Sequence, residues 1–598
     1  MRKFVVALWL AFALSPLGGC ATTREAAVAT VSRQSADVAF ADLSKRYLDG
    51  LTRLNPSYAT GLGDHRFDDR VTDMSAAGRA RARAFLGETL AELGRIDRRS
   101  LDRDNQVDAA LLDNNLRYAL WSDETLQNWA WDPQIYNDAA GTSLYSLAAR
   151  DFAPWEVRLK SATARMAAIP ALLAQARANL VPARVPPIYA TTVAKQNAGI
   201  VSIVQEMLIP HRDLLSPEDR GRFGTAFATL KAAVAEHQIW LDKVLVPGAK
   251  GDFRLGPALY DTKLRFALVS PLGRAEIKQR ANRALIDTRA QMYALARQIL
   301  AGRAGAPPLP EAPSADQQQK AIEAALELSY ARRPPRDGVM AAATDTLAQA
   351  TAFVAKAGLI TLPATPVKII PVPEYMRGVA VAYCDSPGPL ERHLDTFYMV
   401  SPLPEDWTTE QVTSFLREYN LYMIHDLSIH EAMPGHFVQI AHSNQNRSLL
   451  RAVLSSGTFV EGWAVYAEGM MADAGYLDGD PLFRLTVLKM RLRSITNSLI
   501  DIGIHTEGMT RDQAMELMTR TGFQQEREAA GKWTRASLGS TQLPSYFVGY
   551  SEHMELREEA KRRRGAAFDL KAYNDELLSH GSPPVRFVRA LMFDEPVE

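Results

Sequence analysis

Residues 154–180 read PWEVRLKSATARMAAIPALLAQARANL, and most of the chain follows the same pattern. Ala, Leu, Arg, Glu and Gln dominate, and apolar residues recur every three or four positions, as on one face of an α-helix. The stretches AAGRARARAFLGETLAELGRI (76–96) and GRAEIKQRANRALIDTRAQMYALARQIL (273–300) share this periodicity. The sequence therefore predicts a mainly α-helical fold. No boundary within it is sharp, so we interpret residues 37–598 as a single domain.

A short segment interrupts the helical pattern between residues 361 and 386, where prolines stand among β-branched residues. Val367–Ile370 and Val379–Tyr383 have the composition of short strands, and Asp395–Val400 is a third candidate. We therefore predict a small β-sheet near residues 365–400, just before the segment that carries the chemistry.

The composition excludes several classes of protein. With 47% hydrophobic residues in a chain of 598, the protein is not mostly disordered. The chain has 68 basic residues (Lys and Arg) and 68 acidic residues (Asp and Glu). This balance argues against a nucleic-acid partner, because binding along a phosphate backbone requires a positively charged surface. The two cysteines, Cys20 and Cys384, are too few for a disulfide scaffold or a thiolate zinc site. Any chemistry must therefore use His, Asp, Glu, Ser or Tyr side chains.

The amino terminus has the pattern of an export signal. It begins with basic MRK, continues with the apolar run FVVALWLAFAL, too short to span a bilayer comfortably, and ends with SPLGGC, which resembles a bacterial lipobox. We interpret residues 1–19 as a lipoprotein signal peptide, Cys20 as the site of lipid attachment, and residues 20–36 as a flexible tether. The alternative is an ordinary cleaved secretion signal with an incidental cysteine.

The lipobox resemblance implies that the protein is attached to a membrane through its amino-terminal lipid. Ala21, rather than Asp, follows the cysteine. In Gram-negative lipoproteins this implies export to the outer membrane, with the protein facing the periplasm. No later run reaches the roughly 18 apolar residues that a spanning helix needs. We infer no protein partner from the sequence.

The strongest chemical motif is IHEAMPGHF at residues 429–437. It is similar to the H-E-x-x-H motif of helical zinc peptidases, in which two histidines four apart bind zinc and the glutamate is the general base. His430 and His436 are six apart, so on a regular helix their rings would point about 120° from each other. The motif therefore requires a break in the helix, which Pro434 and Gly435 favour. Taken alone, it would also suit a pair of core histidines.

We expect a third ligand from Glu461, which lies in the apolar helical stretch TFVEGWAVYAE. An isolated carboxylate there would be buried at a cost that a bound dication removes. Glu468 follows two helical turns later on the same face, and we expect it to accept a hydrogen bond from a ligand imidazole. His425 and His442 compete as ligands, but neither precedes a glutamate.

Six stretches carry a further resemblance. They are RLNPSYATGLGDHRFDDRVTDMS (53–75), HEAMPGHFVQIAH (430–442), FVEGWAVYAEGM (459–470), LIDIGIHTEGMTRDQAMELM (499–518), PSYFVGY (544–550) and LLSHGSPPVRFV (577–588). Over residues 40–595 the chain resembles the bacterial family called domain of unknown function 885, whose members are often predicted to be lipoproteins or peptidases. Through its His-Glu-x-x-Pro-Gly-His element, that family is similar to helical gluzincins such as thimet oligopeptidase and Taq-type metallocarboxypeptidases. The resemblance implies a large helical ellipsoid with a deep channel and a small β-sheet near the zinc.

Carried over to this sequence, the resemblance implies zinc ligands at His430, His436 and Glu461 and a general base at Glu431. The expected activity is zinc-dependent hydrolysis of peptide bonds in short peptides, in which Glu431 takes the proton of the attacking water. The strand candidate Thr396–Val400 could align an extended peptide by backbone pairing.

The same resemblance implies a late tyrosine that stabilises the oxyanion, and Tyr546 and Tyr550 are the candidates, although each could equally be a core aromatic residue. His505 is a candidate for the channel wall or for a core histidine. Arg493 and Arg535 are candidates for binding the carboxylate of a short substrate, the alternative for each being a solvated arginine.

One position departs from the family pattern, because Asn574 stands where the family often has His. Any role of that histidine in substrate binding is therefore absent or altered. The main rival function is a non-catalytic envelope lipoprotein that binds peptides or cell-wall fragments and holds zinc structurally. Glu431 argues against it, since a structural zinc site needs no base. A serine hydrolase lacks its G-x-S-x-G motif, and Gly531–Thr534 lacks the upstream glycine of a P-loop.

Overall fold

The computed structural model describes the backbone over residues 20–372 and 381–597 and the side chains from Ser35 onward within those ranges. The predicted signal peptide, residues 1–19, lies outside the described residues, and so does the side chain of Cys20. Within the described part, no helix has the length and apolar character that crossing a membrane would require.

The fold is mainly α, as predicted. Before the sheet, the α-helices are α1 (Cys20–Leu54), α2 (Pro56–Leu62), α3 (Ala76–Leu93), α4 (Arg103–Trp121), α5 (Gln134–Ala148), α6 (Trp155–Asn179), α7 (Pro187–Gln196), α8 (Gly199–Ile203), α9 (Pro217–Trp240), α10 (Val246–Gly248), α11 (Gly256–Leu268), α12 (Arg274–Leu300), α13 (Ala315–Tyr330) and α14 (Val339–Ala357). After it come α15 (Thr409–Glu418), α16 (Leu421–Glu431), α17 (His436–Ser443), α18 (Leu449–Val453), α19 (Gly457–Asp473), α20 (Pro481–Glu507), α21 (Arg511–Glu516), α22 (Glu526–Leu538), α23 (Pro544–Arg564), α24 (Leu570–Ser579) and α25 (Val585–Phe593). The three periodic stretches quoted above form α3, α6 and α12.

Helix α1 begins at Cys20, so its backbone includes residues 20–36, the segment that we interpret as a tether. The physical reason lies in its composition. Alanine is the strongest helix former, and the segment is rich in alanine, with Arg, Glu and Gln among its other residues.

The sheet has three strands, β1 (Val367–Pro371), β2 (Ala382–Asp385) and β3 (Thr396–Val400), in the order β1-β3-β2. Strand β1 is parallel to β3 and β2 is antiparallel to it. The prediction for β1 and β3 is confirmed; the predicted strand Val379–Tyr383 begins outside the described residues, and β2 continues from it. Because β3 is the central strand, its backbone pairs on both sides. The expectation that Thr396–Val400 offers an edge to a peptide is therefore wrong.

Two large apolar cores support the helices. One lies among α5 to α9, and the larger includes residues of α12, α13, α16, α19, α20 and α23. Within the larger core, α19 and α23 cross closely, because a Cβ on Gly462 would lie 2.4 Å from the backbone of Gly549. This crossing brings the first turn of α23, with Tyr546, beside Glu461 of α19.

Candidate functional site

The helix break that the histidine spacing requires is present. Helix α16 ends at Glu431 and α17 begins at His436, and the residues between them include a cis Met433–Pro434 bond. Gly435 packs so closely against α16 that a Cβ there would lie 1.9 Å from the carbonyl oxygen of His430. Its backbone N–H donates to the carbonyl of Ile429 at 2.8 Å. Only glycine fits at this turn, which redirects the chain so that the two imidazoles can face one point.

The three predicted ligands come together. One carboxylate oxygen of Glu461 lies 3.7 Å from Nε2 of His430 and 3.6 Å from Nε2 of His436. One atom from each residue falls within 4.8 Å of the other two. Ligands of a tetrahedral zinc ion at about 2.0–2.2 Å are separated by about 3.3–3.6 Å, so this spacing suits the ion. The same oxygen of Glu461 is buried and accepts no hydrogen bond within the described part of the protein, which also fits a role as a cation ligand.

The neighbouring charges favour a cation at this point. Burial acts to lower the pKa of His430, but the carboxylates of Glu461 and Glu468 outweigh it and raise that pKa well above its usual range. Burial likewise acts to raise the pKa of Glu461, and the two imidazoles lower it below its usual range. Both shifts show that the carboxylates attract positive charge, which a dication would supply.

Glu468 holds the imidazole of His430 in place. Its carboxylate accepts a hydrogen bond from Nδ1 of that ring at 2.7 Å and is 2% exposed. Because Nδ1 is used in this way, Nε2 is left to face Glu461 and His436. This is the position predicted for Glu468, and it fixes both the tautomer and the ring orientation.

Glu431 lies at the end of α16, beside the first ligand. It is 8% exposed, lines the cavity described below, and its carboxylate accepts no hydrogen bond within the described ranges. The sulfur of Cys384 lies on the same side, and burial, together with the charge of Glu431, raises the pKa of that thiol. The carboxylate is therefore available to a water or a ligand in the cavity.

The cavity has a volume of about 750 Å³ and includes the three ligands and Glu431 in its wall. Strand β2, the segment after β3, α15, α20, α22 and the start of α23 contribute to the remaining walls. Of the two candidate tyrosines, Tyr546 lines the cavity, with its ring centre 6.4 Å from that of His430. Tyr550 lies outside the wall, under the guanidinium of Arg491 at 4.7 Å. The structure thus favours Tyr546.

Both candidate arginines line the cavity, and both have protein partners. Arg493 forms an ion pair with Glu528. Arg535 donates to the hydroxyl of Tyr546 at 3.0 Å and to the side chain of Gln542 at 2.9 Å. Arg535 therefore orients the tyrosine, while the charge of Arg493 is neutralised by an acid.

His505 does not line the cavity. It is buried, and its Nε2 lies 2.9 Å from the carbonyls of Ala536 and Gly539, so its position corresponds to the core-histidine alternative. The rival ligands are also placed elsewhere: Nδ1 of His425 contacts the hydroxyl of Tyr476 at 2.9 Å, and Nε2 of His442 contacts the carbonyl of Thr361 at 2.7 Å.

Asn574 is fully buried away from the cavity. Its amide donates to the carbonyl of Leu359 at 2.9 Å, and its oxygen accepts from the hydroxyl of Tyr466 at 3.1 Å. The departure from the family pattern at this position therefore affects core packing rather than the cavity wall.

Sequence reasoning missed five charged residues of the cavity wall, namely Glu418, Asp426, Arg527, Glu528 and Lys532. A pattern that could have revealed two of them is the spacing of Glu528, Lys532 and Arg535, which are four and three residues apart and therefore share one face of α22.

Comparisons with known proteins identify the family of the chain and two solved structures of similar fold. The sequence model of the family described as "Bacterial protein of unknown function (DUF885)" matches residues 56–592. A solved structure of a "putative lipoprotein of unknown function" from Shewanella oneidensis is 33% identical, with a TM-score of 0.77, covering 92% of this chain and 99% of its own. A "putative lipoprotein" from Colwellia psychrerythraea is 18% identical, with a TM-score of 0.72, covering 93% and 98%. None of the curated proteins matches the chain.

Proposed function

Since the chain belongs to DUF885, a bacterial family of unknown function, its activity must be argued from its site, and we propose that it is a zinc-dependent peptidase of the cell envelope. The observation that carries the proposal is the arrangement of His430, His436 and Glu461 around one point, with the carboxylate of Glu431 beside them in the cavity wall. Two imidazoles and one carboxylate leave one position of a tetrahedral ion open, as catalytic zinc sites do.

When bound, zinc would supply Lewis-acid activation of the attacking water and of the peptide carbonyl. Glu431 accepts the proton of that water and passes it to the leaving amine. The hydroxyl of Tyr546, held by Arg535, donates to the oxyanion that develops on the carbonyl oxygen. Glu468 keeps His430 in the orientation that the ligand set needs.

The cavity suits a short extended chain. Its volume of about 750 Å³ is within the usual range for a bound small ligand, and strand β2 runs along one wall. Residues 381–384 of this wall could contact a peptide through their backbone and side chains. Short peptides are therefore the substrate class that we propose.

Attachment to the cell envelope rests on the lipobox that ends at Cys20, and the relative from Shewanella oneidensis is described as a "putative lipoprotein". The protein would then act on peptides in the periplasm, anchored to the outer membrane.

A second candidate is a lipoprotein that binds peptides or cell-wall fragments and uses zinc for structure. The coordination argues against it, because structural zinc sites usually have four protein ligands, and three candidates are found in the part of the chain that the structure describes.

The test is Glu431→Gln in protein purified without added metal. We expect the variant to retain about one equivalent of zinc while its hydrolysis of a mixed short-peptide library falls by a factor of about 10² or more. Glu236→Gln, at an exposed position on α9, a helix that contributes no residue to the cavity wall, is the matched control and should hydrolyse normally. Full activity of the Glu431 variant, or wild-type protein with under a tenth of an equivalent of any transition metal, would contradict the proposal.

A further inference from the structure

One wall of the cavity carries a buried cation without a partner. Lys532 of α22 is 5% exposed and lines the cavity, and within the described ranges its ammonium makes neither a hydrogen bond nor an ion pair. The three arginines of the cavity wall are engaged, Arg493 by Glu528, Arg535 by the hydroxyl of Tyr546 and Arg527 by the ring of Trp407. Among the described residues, Lys532 is therefore the cation of this wall that has no partner.

Such an arrangement is costly for the folded protein. An uncompensated buried charge destabilises a fold unless a partner supplies the opposite charge. Burial lowers the pKa of Lys532 well below its usual range, and the positive charges of Arg493 and Arg535 lower it further, against the weaker opposite effects of Glu528 and Glu461. A ligand that brings an anionic group to Lys532 would remove this cost.

The chemistry of that ligand follows from the setting. The neighbouring guanidiniums already have partners, so one free cation matches a monoanion such as a carboxylate better than a dianionic phosphate. Because the lysine is almost fully buried, a chain end reaches it more easily than the middle of a chain does. The zinc-ligand candidate Glu461 lies in the same cavity and near enough for its charge to act on Lys532.

We infer that Lys532 binds the terminal carboxylate of the substrate, so that the substrate class is short peptides with a free carboxyl end, cleaved at a fixed distance from that end. The statement about where the peptide is cleaved rests on the proposed peptidase function, whereas the binding of the carboxylate by Lys532 does not depend on it. Helix α22 would then determine the preference for a free carboxyl end, while α16, α17 and α19 hold the metal-ligand candidates.

Binding is measured first, on zinc-loaded Glu431→Gln protein so that no peptide is consumed. Three fluorescent peptides are compared by anisotropy: a free acid, the carboxamide of the same sequence, and a carboxamide in which the last residue of that sequence is replaced by Glu. We expect the free acid to bind about tenfold more tightly or better, and both amides to bind equally weakly, since a hydrogen bond to a charged group is lost. Equal binding of the acid and amide, or tight binding of the Glu amide, would overturn the assignment of the terminal carboxylate.

The side chain is then changed in the same background. Lys532→Met should bring the acid and amide within about twofold, whereas Lys532→Arg should keep most of the preference because it keeps a cation. Lys561→Met is the matched control, because Lys561 of α23 lies outside the cavity wall and pairs with Glu558 at 2.7 Å, and it should keep the preference. If Lys532→Met still prefers the free acid to the amide, the inference is wrong. If that variant does not fold, the inference is decided by Lys532→Arg and by the acid–amide comparison in the Glu431→Gln protein.

Product analysis separates this inference from the proposed function. With the active protein and a series of free-acid peptides of increasing length, mass spectrometry should show a constant fragment released from the carboxyl end. A Lys532-dependent acid preference without any cleavage would refute the peptidase and keep the binding site. Cleavage at positions that do not depend on the distance from the carboxyl end would keep the peptidase proposal and refute the role of Lys532.

Discussion

Replacing Glu468 should weaken zinc binding while leaving the protein folded. The carboxylate is 2% exposed and accepts a hydrogen bond at 2.7 Å from the imidazole of His430, whose other nitrogen faces the ligand set. Losing such a partner of a metal-binding histidine typically lowers metal affinity by about 10–100-fold. Glu468→Gln keeps an acceptor oxygen but removes the charge, so we expect about tenfold, or 1.4 kcal/mol. Glu468→Ala removes both, so we expect about 100-fold, or 2.7 kcal/mol.

The assay is competition for zinc with a chromophoric chelator at fixed pH and ionic strength. Asp473→Asn is the matched control, since Asp473 lies on the same helix and is half exposed beside Arg484, and its loss should leave the zinc affinity unchanged. Circular dichroism checks that each variant is folded. A folded Glu468→Ala protein whose zinc affinity stays within about threefold of wild type would refute the role of this residue.

Three further outcomes are expected. Gly435→Ala should lower the zinc content and reduce the free energy of unfolding by about 1–3 kcal/mol, since its Cβ would meet the backbone of α16. Gly457→Ala, with open space around it, should change neither quantity. Metal analysis measures the zinc content and urea denaturation the free energy of unfolding. Burial raises the pKa of Glu552 to about 7, so the folded protein keeps a proton that the unfolded chain has lost, and the unfolding free energy should fall as pH rises from about 5 to 8. Glu552→Gln should flatten that urea-derived pH profile, and an unchanged slope would exclude this residue as its source. Arg451→Met should cost about 3–5 kcal/mol in urea denaturation, because it leaves Asp108 buried without its 2.7 Å partner, while Arg98→Met at an exposed pair should cost under about 1 kcal/mol.

Local patterns predicted the parts of the molecule that local physics decides. Helical periodicity located α3, α6 and α12, and the six-residue spacing of the histidines required the break that Gly435 makes. The cost of burying Glu461 in an apolar helix pointed to a compensating cation, and its carboxylate indeed lies beside both imidazoles. These inferences depend on residues that are close in sequence or on the burial of one side chain.

The remaining features depend on which helices pack together, and the sequence does not encode that in a local pattern. The imidazole of His505 contacts the carbonyl of Ala536 in α22 and that of Gly539 just after this helix. Arg493 forms an ion pair with Glu528, a residue 35 positions later. The choice between Tyr546 and Tyr550 follows from the crossing of α19 and α23 at Gly462 and Gly549. The strand order likewise placed Thr396–Val400 at the centre of the sheet rather than at its edge.

The two sides of the cavity are formed by different segments of the chain, and this affects which segments a bound ligand would hold together. The metal-ligand candidates lie within residues 430–461, so an ion closes only a short loop whose ordering costs little entropy. Arg493, Lys532 and Tyr546 stand on α20, α22 and α23. A peptide that reaches both sides would act as a reversible cross-link between these segments. Its binding, more than that of the ion, should therefore slow amide hydrogen exchange in α22.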